Sequence, residues 1–204
     1  NREIISCADL PDYVGNAIVA SEDRSFYTNK GIDPIGIARA FYNNLTTGSR
    51  QGGSTITQQY AERYYLGETT SYAGKLREAF LAIKIAQAQD KSQVLCNYMN
   101  TIYLGRNAYG IQAAAKAYYG KDAKDLTLSE AAMLAGIIPG PSVWNPDANP
   151  KQAERRFKRV IRIMDEDGYI TPDQKKEAAF PQVIEMQQNN QMSGPNGYLL
   201  TTVK

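Results

Sequence analysis

Most of the chain carries apolar residues at the three- and four-residue spacing of amphipathic helices. In "DLPDYVGNAIVASED" the apolar residues Val14, Ile18 and Val19 share one face, and Asp9 is the expected N-cap. Asp33, which stands before a proline, predicts the start of a second helix, "DPIGIARAFYNNL". No sustained alternation of apolar and polar residues predicts a large sheet. The pattern therefore indicates a mainly α fold.

A second group of helices follows the glycine-rich break "TTGSRQGG". Thr55 and Gln58 have the spacing of a capping box at the start of "STITQQYAERYYL". In "SYAGKLREAFLAIKIAQAQ" the residues Leu76, Phe80 and Ile83 line one face, and we expect that face to lie against the core. Further helices are predicted in "KSQVLCNYMNTIYL", "GIQAAAKAYYG", "TLSEAAMLAGII", "PKQAERRFKRVIRIMDEDG" and "TPDQKKEAAF".

The length of 204 residues suits one domain with its own hydrophobic core. We expect this domain to span residues 1–180. Residues 181–204 are rich in glutamine, asparagine and glycine, which predicts a loose linker toward another domain. No apolar run approaches the length of a membrane span.

The chain contains no histidine, and this absence narrows the possible chemistry. It excludes a Ser-His-Asp triad, a Cys-His pair and a histidine-ligated metal, so a general base is expected to be a carboxylate or a less usual group. Cys7 and Cys96 are too few for a structural zinc site, and the sequence leaves open whether they form a disulfide. The net charge of +2 gives no reason to expect a nucleic-acid partner.

Two stretches combine polar residues in ways that could serve a reaction. In "SEDRSF" the carboxylates of Glu22 and Asp23 precede Arg24, a pattern that in isolation is most often a solvated helix end. In "QGGSTITQQ" two glycines precede a helix whose first N–H groups and dipole would favour an anion. The uncharged donors near that helix start are Ser54, Thr57, Gln58 and Gln59.

A third stretch, "GKLREAF", places charged residues on one helix face. Lys75 and Glu78 are three residues apart, and we expect them to point away from the core. Lys75 and Arg77 suit a phosphate group, whereas Glu78 suits a cation or a hydroxyl. Taken alone, the pair is most simply a surface salt bridge worth about 0.3–0.5 kcal/mol.

The order of these stretches resembles the peptidoglycan glycosyltransferase domain of penicillin-binding proteins, the family 51 glycosyltransferases. "EDRSF", "GGSTITQQ" and "KLRE" are similar to the first three motifs of that family, and "GGSTITQQ" is the most specific. "NYMNTIYLGRNAYGIQAAAKAYYGK", "LSEAAMLAGIIPGPSVWNP" and "RRFKRVIRIM" resemble the segments that follow. The resemblance runs from about Asp9 to about Ala179.

The resemblance implies a mainly α, lysozyme-like fold in which two helical lobes surround an extended groove. It implies an enzyme that polymerises lipid II into β-1,4-linked glycan, with inversion at the donor anomeric carbon and release of undecaprenyl diphosphate. The expected location is the extracytoplasmic face of the bacterial cytoplasmic membrane, with an anchor and a transpeptidase domain outside this sequence. A divalent cation, Mg²⁺ or Mn²⁺, is expected beside the diphosphate, although no metal-ligand set is evident in the sequence.

The resemblance also implies roles for individual residues. Glu22 takes the position of the general base, and Glu78 that of a second catalytic glutamate beside the leaving group. Residues in substrate-binding positions are Asp23, Arg24, Ser54, Thr57, Gln58, Gln59, Lys75, Arg77, Asn100 and Arg156.

The chain departs from the family pattern at four positions. Asn29 stands where the family usually has histidine, Gly74 where it has a basic residue, and Cys96 where it has glutamate. Glu62 replaces a usual lysine, and we expect it to point away from the diphosphate or to pair with Arg63.

Two other functions remain open at this stage. A lytic, lysozyme-like enzyme would use a glutamate as an acid on the glycosidic oxygen. A catalytically weak domain that binds lipid II would fit the departures at Asn29, Gly74 and Cys96. We also expect Ile35, Ile37 and Phe41 to touch the bilayer, with ordinary packing as the alternative.

Overall fold

The computed structural model describes residues 2–47, 53–67 and 71–185. Within these ranges β pairing is limited to two isolated bridges, which join Tyr109 to Arg2 and to Tyr103. The mainly helical architecture expected from the sequence is therefore confirmed. The helices are α1 (Asp12–Glu22), α2 (Pro34–Thr47), α3 (Ile56–Ala61), α4 (Tyr72–Ala88), α5 (Lys91–Met99), α6 (Ile111–Tyr119), α7 (Leu128–Ile137), α8 (Pro150–Glu166) and α9 (Pro172–Glu177).

One group of helices forms around α7, which is buried from Ala131 to Ile137. It packs against α8 and α1, and α1 also packs against α8. Gly136 permits the close approach of α7 and α8, because a Cβ atom there would lie 3.2 Å from the Arg156 carbonyl carbon. The three helices bury apolar faces against one another, and this burial is the main source of stability in this part of the fold.

A second group forms around the short helix α3, which packs against α4 and α5. The predicted capping box is confirmed: the Thr55 hydroxyl accepts from the Gln58 N–H at 3.1 Å, and the Gln58 side chain accepts from the Thr55 N–H. A π-helical turn, Glu62–Leu66, continues α3. The two groups meet where the end of α1 faces α3.

Helix α2 makes only slight contact with the other described helices. The predicted cap of this helix is confirmed, since the Asp33 carboxylate accepts from the Gly36 N–H at 2.9 Å. The helix extends to Thr47, two residues beyond the predicted segment.

The predicted N-cap of α1 is wrong. The helix begins at Asp12 after Pro11, which supplies no side-chain cap, and Asp9 lies outside it. The physical reason is a separate turn before the helix, in which the Leu10 N–H donates to the Cys7 carbonyl at 3.2 Å.

The predicted orientation of α4 is also wrong. Leu76 is 74% exposed and Phe80 is 62% exposed, whereas Glu78, expected on the solvent side, is fully buried. Helical spacing correctly groups the residues that share a face, but it does not say which face is covered. Here α3 covers the charged face, and the buried carboxylate is compensated by Lys75.

Cys7 and Cys96 form a disulfide with a Cα–Cα distance of 5.7 Å, which answers the question that the sequence left open. Beside it, the Asn100 side chain donates to the Ile5 carbonyl and accepts from the Ile5 N–H, both at 3.0 Å. These contacts fix the N-terminal segment to α5. A formed disulfide is typical of an oxidising compartment.

The chain remains attached to the core beyond α9. The Ile184 N–H donates to the Tyr118 carbonyl at 2.9 Å, and the buried guanidinium of Arg106 donates to the Ile184 carbonyl at 2.8 Å. Phe180 stacks edge-on against Phe157. The first residues assigned to the linker thus pack on the domain, and residues 186–204 of that linker lie outside the described part of the chain.

Candidate active site

Glu22 is the last residue of α1 and lies where the two helix groups meet. Its carboxylate accepts from the Ser21 hydroxyl at 3.0 Å and from the Gln59 side-chain amide at 3.2 Å. The Gln59 amide oxygen in turn accepts from the Tyr98 hydroxyl at 2.8 Å. Tyr98 therefore fixes which end of the Gln59 amide faces Glu22.

Burial raises the pKa of the Glu22 carboxyl, although hydrogen bonds from Gln59 and Ser21 and the charges of Arg156 and Arg63 act in the opposite direction. The side chain keeps some solvent exposure while protein atoms surround most of it. A carboxylate with a raised pKa is a stronger base than one in water. Glu22 thus has both the access and the basicity that proton removal requires.

Asp23 follows Glu22 but is buried, and its carboxylate is engaged within the protein. It accepts from the Ser25 hydroxyl at 2.8 Å, from the Asn29 side-chain amide at 3.0 Å and from the Ile56 N–H at 3.1 Å. These contacts tie the loop after α1 to the start of α3. A contact of Asp23 with substrate stays a prediction.

The start of α3 differs from the anion site that the sequence predicted. The Ile56 N–H donates to Asp23 and the Gln58 N–H to Thr55, so two of the first N–H groups already have partners inside the protein. Ser54, just before the helix, is half-buried. The Thr57 hydroxyl is buried and has no hydrogen-bond partner among the residues that the structure describes.

Glu78 is the second candidate carboxylate, and α4 presents it toward α3. The Lys75 ammonium lies 2.6 Å from one Glu78 oxygen, and the Gln58 side-chain amide is 3.5 Å from the other. Lys75 also lies 3.6 Å from Glu62, a proximity that the sequence analysis did not anticipate. Burial lowers the pKa of Lys75, but the Glu78 and Glu62 carboxylates raise it more, so Lys75 is held as a cation.

Arg156 belongs to the same region. Its guanidinium donates to the Gly136 carbonyl at 2.9 Å and lies 4.3 Å from the ring centroid of Trp144. Burial and the charge of Arg159 lower the pKa of Arg156, whereas Glu22 raises it. The Arg156 guanidinium is thus near enough to Glu22 for the charge of each group to affect the pKa of the other.

Arg24, Arg77 and Asn100 are the other residues that the resemblance assigned to substrate binding. Arg24 is exposed and pairs with Asp167 and Glu166 at the end of α8. Arg77 is exposed on α4. Asn100 is buried and uses its amide on the N-terminal segment. The substrate contacts assigned to these residues stay predictions.

Sequence reasoning missed several residues that complete the site. Tyr98 and Trp144 were present in motifs that carried the family resemblance, but spacing alone did not distinguish them from core aromatics. Arg63 was considered only as a partner of Glu62, yet its charge acts on Glu22.

Within the described ranges no group of three or more acidic or cysteine side chains could hold a metal ion. The carboxylates of Glu62 and Glu78 both form ion pairs with the Lys75 ammonium and are not arranged around a metal ion. These residues thus provide no preformed ligand set for the divalent ion expected beside the diphosphate, and that ion stays a prediction.

Comparison with known proteins gives the class that this fold and site define. The family model described as transglycosylase matches residues 1–165, so the chain belongs to that family. Penicillin-binding protein 1A of Neisseria lactamica is 46% identical over 178 residues, which make up 87% of this chain and 22% of that protein. Penicillin-binding protein 1A of Aquifex aeolicus is also 46% identical, over 87% of this chain and 24% of that protein.

A crystal structure of penicillin-binding protein 1A from Haemophilus influenzae has the same fold, with a TM-score of 0.56 and 24% identity. The match covers 92% of this chain and 19% of that one. This chain thus spans about a fifth of the length of the relatives it matches. The expected membership of the peptidoglycan glycosyltransferase family and the lysozyme-like helical fold are both confirmed.

Proposed function

We propose that the chain is a peptidoglycan glycosyltransferase that polymerises lipid II into β-1,4-linked glycan. The observation that supports this most directly is the placement of Glu22. Its carboxylate has a raised pKa, is oriented by Gln59, and lies between two helix groups that carry cations on either side. Family membership supplies the reaction class, and the relatives are named as penicillin-binding proteins.

In the proposed reaction Glu22 removes the proton from the 4-hydroxyl of the acceptor sugar. The hydroxyl oxygen forms a bond to the donor anomeric carbon on the face opposite the leaving group. The bond from that carbon to the diphosphate oxygen breaks, and its electron pair leaves with undecaprenyl diphosphate. Inversion at the carbon gives the β-1,4 link, and Glu22 ends the step protonated.

The leaving diphosphate gains negative charge as its bond breaks, so nearby cations stabilise the transition state more than the ground state. Lys75 is held charged beside Glu78, and Arg77 lies on the same helix. Glu78 acts in this proposal by orienting Lys75. No step of the proposed mechanism passes through a metal ion.

A lytic reaction is the second candidate, because the raised pKa of Glu22 would also suit a general acid. That reaction begins with a protonated carboxyl and finished glycan, whereas polymerisation begins with an ionised carboxylate and lipid II. The basic groups near Lys75 and Arg156 favour polymerisation, since only this reaction releases a diphosphate.

We also propose that α2 and α4 face the membrane that holds lipid II. Ile35 is 73% exposed, and Leu76 and Phe80 on α4 are exposed as well. Exposed apolar side chains such as those on these two helices are typical of surfaces that enter a membrane interface. Ile37 is less exposed, and the side chain of Phe41 lies outside the described part of the chain. No helix within the described ranges is long and apolar enough to cross a membrane.

The proposed location is the extracytoplasmic face of the cytoplasmic membrane. The Cys7–Cys96 disulfide supports it, because such bonds persist in oxidising compartments. The proposed partners are lipid II, the growing glycan and, in the full-length relatives, a transpeptidase domain.

The test supplies labelled lipid II and finished glycan in parallel reactions. Polymerisation predicts glycan chains from lipid II and no sugar release from finished glycan. Sugar release would support the lytic reaction. Binding of lipid II without either product would support a domain that only binds.

A further inference from the structure

Lys91, the first residue of α5, makes contacts that no sequence motif singled out. Its ammonium donates to the Asn29 backbone carbonyl at 2.8 Å and to the Asn29 side-chain oxygen at 3.2 Å. It also lies 4.6 Å from the ring centroid of Phe26. A single cation thus holds both the backbone and the side chain of Asn29.

This contact sets the direction of the Asn29 amide. Because the side-chain oxygen accepts from Lys91 and from the Gly31 N–H, the NH₂ group faces the Asp23 carboxylate at 3.0 and 3.2 Å. The neutral Asn29 amide therefore lies between Lys91 and Asp23. Its oxygen faces the Lys91 cation, and its NH₂ group faces the Asp23 anion. Burial lowers the pKa of Lys91, whereas the charge of Asp23 raises it.

The next contacts join α3 to the loop after α1, which contains Asn29 and Gly31. The Asp23 carboxylate accepts from the Ile56 N–H at 3.1 Å, and the Thr55 hydroxyl donates to the Gly31 carbonyl at 2.6 Å. Two hydrogen bonds thus tie the loop to the first residues of the helix. Because α3 is short, fixing its start also fixes the residues one turn later.

The same loop presses against α4. Gly31 has a φ of +94°, and a Cβ atom there would lie 2.4 Å from the Ala82 carbonyl oxygen, so only glycine fits. Helix α4 carries Glu78, and α3 carries Gln59, the donor to Glu22. The loop therefore contacts both the helix of the second candidate carboxylate and the helix that orients the first.

We propose that Lys91 is a positioning residue for the glycosyl transfer. Acting through Asn29 and Asp23, it fixes the start of α3 and with it the place from which Gln59 donates to Glu22. This inference rests on the proposed function. Asn29 is the residue at which the chain differs from its family's usual histidine, and its amide fits both partners without a change of charge.

The first test compares Lys91→Met with Lys116→Met in lipid II polymerisation. Lys116 lies on α6 and pairs with Glu3 and Asp122, so its loss removes the same charge without touching the loop. We expect Lys91→Met to lower kcat about tenfold, because small displacements of catalytic groups have effects of this order. KM should change less than about twofold, and Lys116→Met should leave both constants unchanged. Lys91→Arg should recover most of kcat, since its guanidinium can donate to both Asn29 oxygens.

The pH profile separates positioning from a loss of folded protein. Besides Gln59, the groups that act on Glu22 are Ser21, Arg63 and Arg156, and Tyr98 faces it from α5. A displaced Gln59 no longer lowers the pKa of Glu22, so the acid limb of kcat/KM should move to higher pH in Lys91→Met. A smaller folded fraction would lower the rate at every pH and leave the limb in place. An unmoved limb with unchanged kcat overturns the proposal.

A nuclear magnetic resonance measurement tests the geometry independently of activity. The Ile56 amide proton should shift upfield in Lys91→Met, because its bond to Asp23 weakens, and stay in place in Lys116→Met. An unmoved Ile56 signal overturns the inference even if the wild-type chain polymerises lipid II. A shifted signal together with no wild-type polymerisation would instead contradict the proposed function alone. If Lys91→Met fails to fold, Asn29→Leu breaks the same relay, and the same outcomes apply to it.

Discussion

The side-chain amide of Gln59 donates to the Glu22 carboxylate at 3.2 Å, across the junction between two groups of helices. This contact links Gln59 in "TQQ" to Glu22 in "SED", two residues that are 37 positions apart in the sequence. The donor stabilises the ionised form of Glu22, and burial opposes it. The balance leaves a carboxylate that is basic enough to accept a proton and is held in one orientation.

Tyr98→Phe tests whether the orientation of Gln59 matters. Without the hydroxyl that donates to its oxygen, the Gln59 amide can rotate, and we expect kcat to fall about three- to tenfold. Steady-state polymerisation kinetics measure this. Tyr118→Phe is the matched control, because it removes another buried hydroxyl, the donor to the Leu104 carbonyl. Both variants should lose about 1 kcal/mol of stability. An equal fall in kcat for both would contradict the specific role of Tyr98.

Lys75→Met should lower the free energy of unfolding by about 1–3 kcal/mol, because the buried Glu78 carboxylate loses its cation. The loss is smaller than for a fully buried pair, since Lys75 is itself about half exposed. Lys75→Met/Glu78→Gln should recover most of the stability but not the polymerising activity. Urea unfolding and lipid II assays measure the two effects.

The control for this pair is Lys158→Met, which breaks an exposed pair with Glu154 and should cost about 0.3–0.5 kcal/mol. If the double variant regained activity together with stability, Lys75 and Glu78 would be structural residues only.

How far the sequence predicts the structure depends on the range of the interactions involved. The capping box of Thr55 and Gln58 is local, and the sequence located it correctly. The exposed face of α4 was predicted wrongly. Whether Leu76 and Phe80 are buried depends on where α3 packs, and the sequence of α4 alone does not specify that. The network around Asp23 joins residues 33 positions apart. Local spacing carries no information about such a contact.

Reduction of the Cys7–Cys96 disulfide should destabilise the chain by about 2–4 kcal/mol, because the bond closes a long loop in the unfolded state. Urea unfolding with and without a reductant measures this difference. The variant Cys7→Ser/Cys96→Ser should be as unstable as the reduced protein and should not respond to the reductant. An unfolding midpoint that does not change on reduction would show that the bond contributes little.

Leu76→Ser/Phe80→Ser should weaken binding to anionic lipid vesicles, because both side chains are exposed on the proposed membrane face. We expect at least a tenfold loss, since burial of each side chain contributes about 1.5–3 kcal/mol. Vesicle sedimentation measures the binding. Ile4→Ser is the matched control, because Ile4 is 76% exposed on the N-terminal segment rather than on α2 or α4. Equal loss in the control would contradict a defined membrane face.

The central claim is that Glu22 is the general base of lipid II polymerisation. The most direct measurement is the pH dependence of kcat/KM for the wild type, Glu22→Gln and Glu154→Gln. Because a base must be ionised, the wild-type rate should rise with pH through the raised pKa of Glu22 and then level off. Glu154→Gln, on the surface of α8, should keep this profile, and Glu22→Gln should lose at least about a hundredfold in rate. Wild-type-like polymerisation by Glu22→Gln would contradict the claim.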